Sequence, residues 1–354
     1  MAVPYQQAGL TLSEAGPNDP ALVRALQQDL RALGYLLRGI DGRFGSGTTR
    51  AVRALQWDLL NNDGSSSAAD GAAPLPLTTF NQAPDGAPAV ARVDGVVDEA
   101  LAGCIDALLG DPRMTVLPSV DDPAARNREA LAAIVATANS KAPPPFIGAM
   151  VIQESGGLHY NLPRPRDDDS FVTVGLDRNN RGDPDQITSR GYGIGQYTLF
   201  HHPPRREELQ DAIVDPVRNV QKMFADLREK FDRFVAGPAD VASERRVEHP
   251  LLPLRLCRYA PSDARYLRDC RNCARAARKI DIERGTPAYA GAAFGYLPDQ
   301  YYPSAAYSDV PDRADFLCDW PYAVRRYNGS GNDSFHYQTR VLLNLLGPRV
   351  ANGE

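Results

Sequence analysis

The stretch GIDGRFGSGT at residues 39–48 constrains this chain more than any other. It separates two segments of helical period: Val23, Leu26, Leu30 and Leu33 before it, and Val52, Leu55 and Leu59 after it. Asp19 and Pro20 form a helix start, a cap followed by proline in the first turn. Gly34 is a natural stop. The glycines of the stretch permit a tight reversal, and Asp41 can accept bonds from backbone N–H groups. A third helix is predicted around 97–109, with Leu101, Cys104, Ile105 and Leu108 on one face. Residues 61–90 are rich in Ser, Ala, Gly, Pro and Asp and read as a mobile inserted loop. The expectation is a short arm at 1–17, a three-helix domain at 18–112 split by that loop, and a linker at 113–122.

The remainder, 123–354, reads as a second, larger and mostly helical domain. Pro123 opens a helix whose apolar side carries Leu131, Ile134, Val135 and Ala138. Strand-like alternation is confined to short pieces near 171–175, so the expected fold class is mainly α. The formal net charge of −5 argues against a general nucleic-acid binder. No run approaches about 18 consecutive apolar residues, so no membrane span is expected. The N-terminal sequence has neither the basic nor the apolar region of a secretory signal.

One carboxylate stands out. Ile147, Met150, Val151 and Glu154 are spaced i, i+3, i+4, i+7 and share a helix face. Ser155, Gly156 and Gly157 then end the helix. Burial and the negative end of the helix dipole both oppose ionisation, so the Glu154 carboxyl is expected to keep its proton more readily than an exposed one. Glycosidic bond cleavage needs such an acid. Further on, SRGYGIGQYT at 189–198 has three glycines within five residues followed by Gln196, a run that lets backbone approach a ligand. RRYNGSG at 325–331 joins Tyr327 and Asn328 to a glycine turn, and a helix with Tyr337, Val341 and Leu345 follows.

Two family resemblances rest on these residues. Leu26, Gln27, Leu33, Gly34 and Tyr35, then Asp41, Gly42, Phe44, Gly45 and Thr48, then Ala51, Val52 and Gln56 resemble the peptidoglycan-binding domain family. Asp94 and Gly95 look like its second Asp-Gly turn, although Asp98 and Leu101 stand where Gly and Thr are usual. Over roughly 126–350, Glu154-Ser155, Ser189 with Gly193–Gln196, and Tyr327-Asn328-Gly329, with Tyr337, Arg340 and Val341 behind them, resemble the lysozyme-like superfamily. They look most like soluble lytic transglycosylases and phage endolysins. The resemblance implies a muramidase that cuts the β-1,4 bond between N-acetylmuramic acid and N-acetylglucosamine, with Glu154 as general acid and Tyr327 positioning it. Ser155, Ser189, Gly193, Gln196, Tyr197, Asn328 and Tyr337 would contact glycan, and Asp41, Phe44 and Asp94 would serve the wall-binding domain. Two routes stay open. In the lytic route the sugar's own 6-hydroxyl attacks, giving 1,6-anhydro ends. In the hydrolytic route a second carboxylate assists water, and the acidic loop offers Asp177 and Asp185, goose-type lysozymes carrying Asp in this region. A non-catalytic wall-binding or tail-structural protein and a chitinase-like glycosidase are the competing expectations. The expected partner is peptidoglycan, with an immunity protein if the chain is a secreted antibacterial effector rather than a phage endolysin. The expected place of action is the periplasm or wall of a target bacterium, after synthesis in the cytoplasm.

No cofactor is required by this chemistry. DRNNRGDPD at 177–185 partly resembles a calcium loop through Asp177, Asn179 and Asp183, but Thr188 stands where the bidentate Glu belongs. Cys257, Cys270, Cys273 and Cys318 could hold zinc, form two disulfides or stay buried thiols; outside the cytoplasm two disulfides are the better expectation, and zinc is not expected. His159, His201 and His202 show no metal spacing and read as loop or surface residues. The other loop acids, Asp167, Asp168 and Asp169 among them, read as a solvated acidic face.

Overall fold

The computed structural model describes residues 2–64, 75–83, 86–136, 143–233, 263, 317–328 and 332–346. Among them the chain is mainly helical. The helices are α1 (Pro20–Ala32), α2 (Ser46–Asn61), α3 (Glu99–Gly110), α4 (Pro123–Ala136), α5 (Pro144–Ser155), the single turn α6 (Arg206–Glu208), α7 (Pro216–Phe231), α8 (Trp320–Tyr327) and α9 (Asn332–Leu346). Three short strands, β1 (Val174–Asp177), β2 (Ser189–Tyr192) and β3 (Tyr197–Leu199), form one antiparallel sheet in sequence order. Two compact units result: Met1–Asn127 with Leu158–Asn219, and Arg128–Gly157 with Val220–Glu354. Residues 158–219, which the sequence groups with the second domain, thus cluster with the N-terminal helices.

The helical part of the first unit begins as the periodicity predicts. Asp19 caps α1 by accepting from Ala21 N, and Val23, Leu26, Leu30 and Leu33 are buried. They pack with Val52, Leu55 and Leu59 of α2 and Leu101, Ile105 and Leu108 of α3 in one core. Asp98, the departure noted in the second Asp-Gly turn, is the N-cap of α3 and accepts from Leu101 N.

The two Asp-Gly turns are built alike. Gln27 Nε2 donates to Asp41 Oδ1 at 3.0 Å, and Gly42 N donates to Gln27 Oε1 at 2.8 Å. In the second copy Gln56 Nε2 donates to Asp94 Oδ1 at 2.8 Å, and Gly95 N donates to Gln56 Oε1 at 2.8 Å. Gly42 has φ +74, and a Cβ there would lie 2.7 Å from the Pro20 carbonyl oxygen, so only glycine fits. The correspondence extends to two buried tyrosines: Tyr5 donates to Asp29 and Tyr35 to Asp58, each at 2.6 Å. α1 and α2 with their turns are therefore two copies of one structural unit.

The short N-terminal arm is packed: Tyr5 and Leu12 are buried, and Leu12 pairs with Val97 through reciprocal backbone bonds of 2.9 Å. The inserted segment, expected to be a mobile loop, is not wholly one. Leu75 and Leu77 are buried in the helical core, and Asn81 bonds the Leu59 and Val90 carbonyls. Apolar side chains inside a polar composition decide both outcomes.

The sheet segment is held to the helices by charge. Arg31, on α1, is fully buried and meets Asp169 through Nε at 3.0 Å and Nη2 at 3.1 Å. Its remaining donors reach the Leu36 and Val172 carbonyls. Asp169 also accepts from Asn161 Nδ2 and Phe171 N, so every polar atom of the pair has a partner. Around this pair Arg24 meets Asp168 and Arg53 meets Asp185. A second buried pair joins Asp58 to Arg190 of β2 at 3.2 Å. Asp169 and Asp185 of the acidic loop are thus consumed by internal pairing, while Asp168 and Asp177 stay exposed.

In the second unit α5 packs on α9, and α8 on α9. Ile147, Met150 and Val151 are buried, as the spacing predicts, and Tyr337, Val341 and Leu345 of α9 are buried too. Trp320 stacks on Phe231 with ring centroids 4.2 Å apart. On α4, Ile134 is buried but Leu131 is exposed, contrary to the predicted apolar side; Ala138 lies outside the described residues.

Replacing Asp169 by Ala strands a buried guanidinium and is expected to cost about 3–5 kcal/mol. Replacing the exposed partner Asp168 should cost about 1 kcal/mol or less. Urea unfolding of the two variants checks this; equal small losses would show that the buried pair does not anchor the segment.

Candidate functional site

Helix α5 ends at an αL cap, Gly156 with φ 68, whose N–H bonds the Ile152 carbonyl. The helix therefore ends at Ser155, one residue after Glu154, and Glu154 sits in its last turn, half-buried. Tyr337 of α9 donates its hydroxyl to Glu154 Oε1 in a short hydrogen bond. Tyr327, the last residue of α8, stacks on Tyr337 with ring centroids 6.0 Å apart and an interplanar angle of 28°. Burial, then the Glu154 charge, pushes both tyrosine hydroxyls well above their usual range, so both remain protonated donors. The charge of Asp226, on α7, also bears on Tyr327. Sequence reasoning passed over Asp226, which carries no motif of its own. Asn344 Nδ2 donates to the Ala149 carbonyl at 3.2 Å and ties α9 to α5. Ser155 is buried and bonds back to the Val151 carbonyl at 3.0 Å. Asn328 is exposed at the C-cap of α8, and Gly329 lies outside the described residues.

A second group lies in the first unit, on the sheet. The turn from β2 to β3 is Gly193–Gln196. Gly193 has φ +71, and a Cβ there would approach His159 Cε1 to 2.6 Å and Asn219 Nδ2 to 2.8 Å. Its backbone is bonded at every step: Gly193 N to the Thr173 carbonyl, Ile194 N to His159 Nδ1, Gly195 N to Asn219 Oδ1, and Gln196 N to the Gly193 carbonyl. Gln196 has φ 50, uncommon for a residue with a side chain. Tyr197 opens β3, half-buried. Ser189 is buried and donates to Asp177 Oδ2 at 2.8 Å.

The histidines correct the sequence reading. All three are buried. His159 donates from Nε2 to the Ile213 carbonyl at 2.8 Å while Nδ1 accepts from Ile194, which fixes the neutral tautomer. His201 pairs with Glu208 at 2.8 Å, and His202 meets the Tyr35 ring edge-on. A sequence cannot show that a polar ring will be closed in by segments distant along the chain.

The two loop acids singled out for a second catalytic role are engaged. Asp185 receives Arg53 Nε at 2.8 Å and Nη2 at 2.6 Å, and Asp177 receives Ser189. Of the calcium-loop residues, Asp183 accepts from the Trp57 indole, and Asn179 N donates to Thr188 Oγ1. No group of three His, Cys, Asp or Glu able to hold a metal occurs among the described residues. Cys257, Cys270 and Cys273 lie outside them, and Cys318 is buried. Asp41 and Asp94 order the two turns of the helical module, and Phe44 is buried there.

Burial lowers the pKa of His159 to about 4 and holds that of His202 well below the usual value. An unfolded histidine takes up its proton near pH 6.5, so the unfolded chain binds more protons than the folded one below that pH. Stability present above about pH 6.5 is therefore lost as pH falls toward 4. His159 alone accounts for about 2 kcal/mol of loss at pH 5. Urea midpoints at pH 7 and pH 5 measure this; a midpoint that does not fall would mean that these rings are not buried neutral.

A family model for a peptidoglycan binding domain matches residues 19–60. No curated protein and no solved structure matches the chain. No helix among the described residues is long and apolar enough to cross a membrane. Helices α1 and α2, with the first Asp-Gly turn between them, thus form a peptidoglycan-binding domain, and peptidoglycan is the partner that the comparisons support.

Proposed function

We propose that the chain binds peptidoglycan through residues 19–60 and cleaves its glycan strand with Glu154 as general acid. The observation that carries this reading is the hydrogen bond from Tyr337 to Glu154 beside the stacked Tyr327 ring. It fixes one carboxyl oxygen of Glu154 on a protonated donor. In the proposed reaction the Glu154 proton passes to the leaving oxygen as the bond from the anomeric carbon breaks. The resulting carboxylate then takes a proton from the attacking group. Tyr337 and Tyr327 act as positioning residues, because their hydroxyls and rings restrict Glu154 while keeping their own protons.

Two attacking groups remain in play. A water molecule gives hydrolysis, the muramidase reading; the sugar's 6-hydroxyl gives a 1,6-anhydro product. The engagement of Asp185 by Arg53 and of Asp177 by Ser189 favours the second route, which needs no further carboxylate. Wall cleavage by a protein of this kind suits a phage endolysin or an antibacterial effector, acting in the periplasm or wall. The competing reading is a wall-binding protein without catalysis, which the family match at 19–60 supports by itself.

Purified peptidoglycan digested with the wild type should release soluble muropeptides. Glu154→Gln should lower that release by roughly 10²–10⁴-fold, and Tyr337→Phe by about tenfold, the loss of one hydrogen bond that positions the acid. Mass analysis of the ends distinguishes reducing from 1,6-anhydro products. Binding to the wall without release by any of the three proteins would favour the non-catalytic reading.

A further inference from the structure

Arg38 and Arg43 flank the first Asp-Gly turn, and Arg164 and Arg166 stand on a second loop of the same unit. All four are exposed, and none of their guanidinium groups has an ion pair or hydrogen bond among the described residues. The two loops are tied together: Asp168 N donates to the Ile40 carbonyl at 3.2 Å, and Ile40 N donates to Asp167 Oδ1 at 2.9 Å. Each arginine stands no more than three residues from Ile40 or Asp167, within about 11 Å of chain. The turn from Arg164 to Asp167 is closed by reciprocal backbone bonds of 2.8 and 2.9 Å, with Pro165 and Arg166 at its tip and Arg166 at φ 76. The acids nearby already have partners in the fold. Asp41 Oδ1 accepts from Gln27 and from Arg43 N, Asp167 Oδ1 from Ile40 N and Asp169 N, and Asp168 meets Arg24. The repeated unit supplies an internal comparison. With Asp41-Gly42 set on Asp94-Gly95, Ala91 stands for Arg38 and Val96 for Arg43, and Arg92 pairs with Asp94 at 2.6 Å. The second turn makes the same glutamine bonds without unpaired arginines, so the turn itself does not require Arg38 or Arg43.

We infer that these two loops form an interaction surface for the acidic peptide stems of peptidoglycan. The guanidinium forks of Arg38, Arg43, Arg164 and Arg166 receive stem carboxylates, a geometry that arginine matches better than lysine does. Leu37 and Leu162, exposed on the same two loops, meet the alanine methyls of the stems. Arg24 completes the surface. Its Nη1 donates to the Ile40 carbonyl at 2.8 Å, and its carboxylate partner is Asp168, whose side chain is 62% exposed. An exposed pair of this kind is weak, so a stem carboxylate can take the place of Asp168, which acts as a tethered competitor. This surface presupposes peptidoglycan as the partner; it adds the chemical group recognised and draws Arg164 and Arg166 from outside the matched residues 19–60.

The full chain carrying Glu154→Gln, so that the wall is not consumed, is sedimented with purified peptidoglycan sacculi. The parent should bind, and more weakly as salt rises from about 50 to about 300 mM. Replacing the four arginines by alanine should weaken binding by about tenfold or more, while Asp168→Asn should tighten it about two- to fivefold. The four-arginine variant should keep the parent's urea midpoint, since these side chains hold nothing in the fold. Arg113→Ala removes an exposed cation already paired with Asp111 and should bind as the parent does. Sacculi with amidated stem carboxyls should hold the parent as weakly as native sacculi hold the four-arginine variant. Sacculi stripped of phosphodiester polymers should hold it in full. Full binding by the four-arginine variant or to amidated sacculi, or an equal loss in Arg113→Ala, would overturn the stem surface alone. Loss of binding on stripping would assign the arginines to phosphate and overturn it too. Asp168→Asn no tighter than the parent would remove the competitor. A parent that sediments with none of these sacculi would overturn the peptidoglycan reading as well.

Discussion

The buried pair of Arg31 and Asp169 is the interaction on which the first unit depends. Each partner alone would be a charge in a medium that solvates it poorly, and together they satisfy one another and four further groups. Because Arg31 projects from α1 and Asp169 lies 138 residues later, the contact draws a distant segment onto the helices. Arg24 and Arg53, at matching places in the two repeated copies, then take Asp168 and Asp185. The exposed pairs are weak individually and cannot hold the segment alone. The buried one fixes register, since no other carboxylate can replace Asp169 without leaving Arg31 stranded.

That anchoring changes what the peptidoglycan-binding helices are part of. The sheet bearing Gly193–Gln196 belongs to the same compact unit as α1 and α2. The tyrosine pair around Glu154 belongs to the other, where α5, α8 and α9 supply every member. Each group is internally rigid for its own reason. On the sheet, every backbone N–H of the turn has an acceptor, and three glycines clear the space around it. Around Glu154, two large rings stack in a position set by buried helix packing. Preorganisation of this kind is what binding and acid catalysis both require of a site.

Much of the helical module was legible in the sequence. Asp19-Pro20, Gly34 and the i, i+4 spacing of leucines are local signals, and they placed α1 and α2 because helix capping and amphipathicity act within a few residues. Glu154 was found on the same grounds, from its place on an apolar face and from the glycines behind it. The bonds of Gln27 to Asp41 and of Gln56 to Asp94 span 14 and 38 residues and were not legible in this way. The strands were harder. SRGY and YTL alternate poorly, because all four residues of β2 are buried, arginine and glycine among them. The pairing of Asp168, Asp169 and Asp185 left no local trace because their arginine partners lie more than a hundred residues earlier. Asp226 gave no signal, since only folding places α7 and α8 in one unit.

By itself, then, this sequence determined where its helices start and stop, which faces they bury, and that one glutamate closes an apolar stripe. Those outcomes depend on neighbours three to seven residues away, and a chain carries such information locally. The tertiary structure alone decided which aspartates are paired, which histidines are neutral, and what surrounds Gln196 and Glu154. These depend on groups that become neighbours only after chain entropy has been overcome by burial, so no local pattern records them.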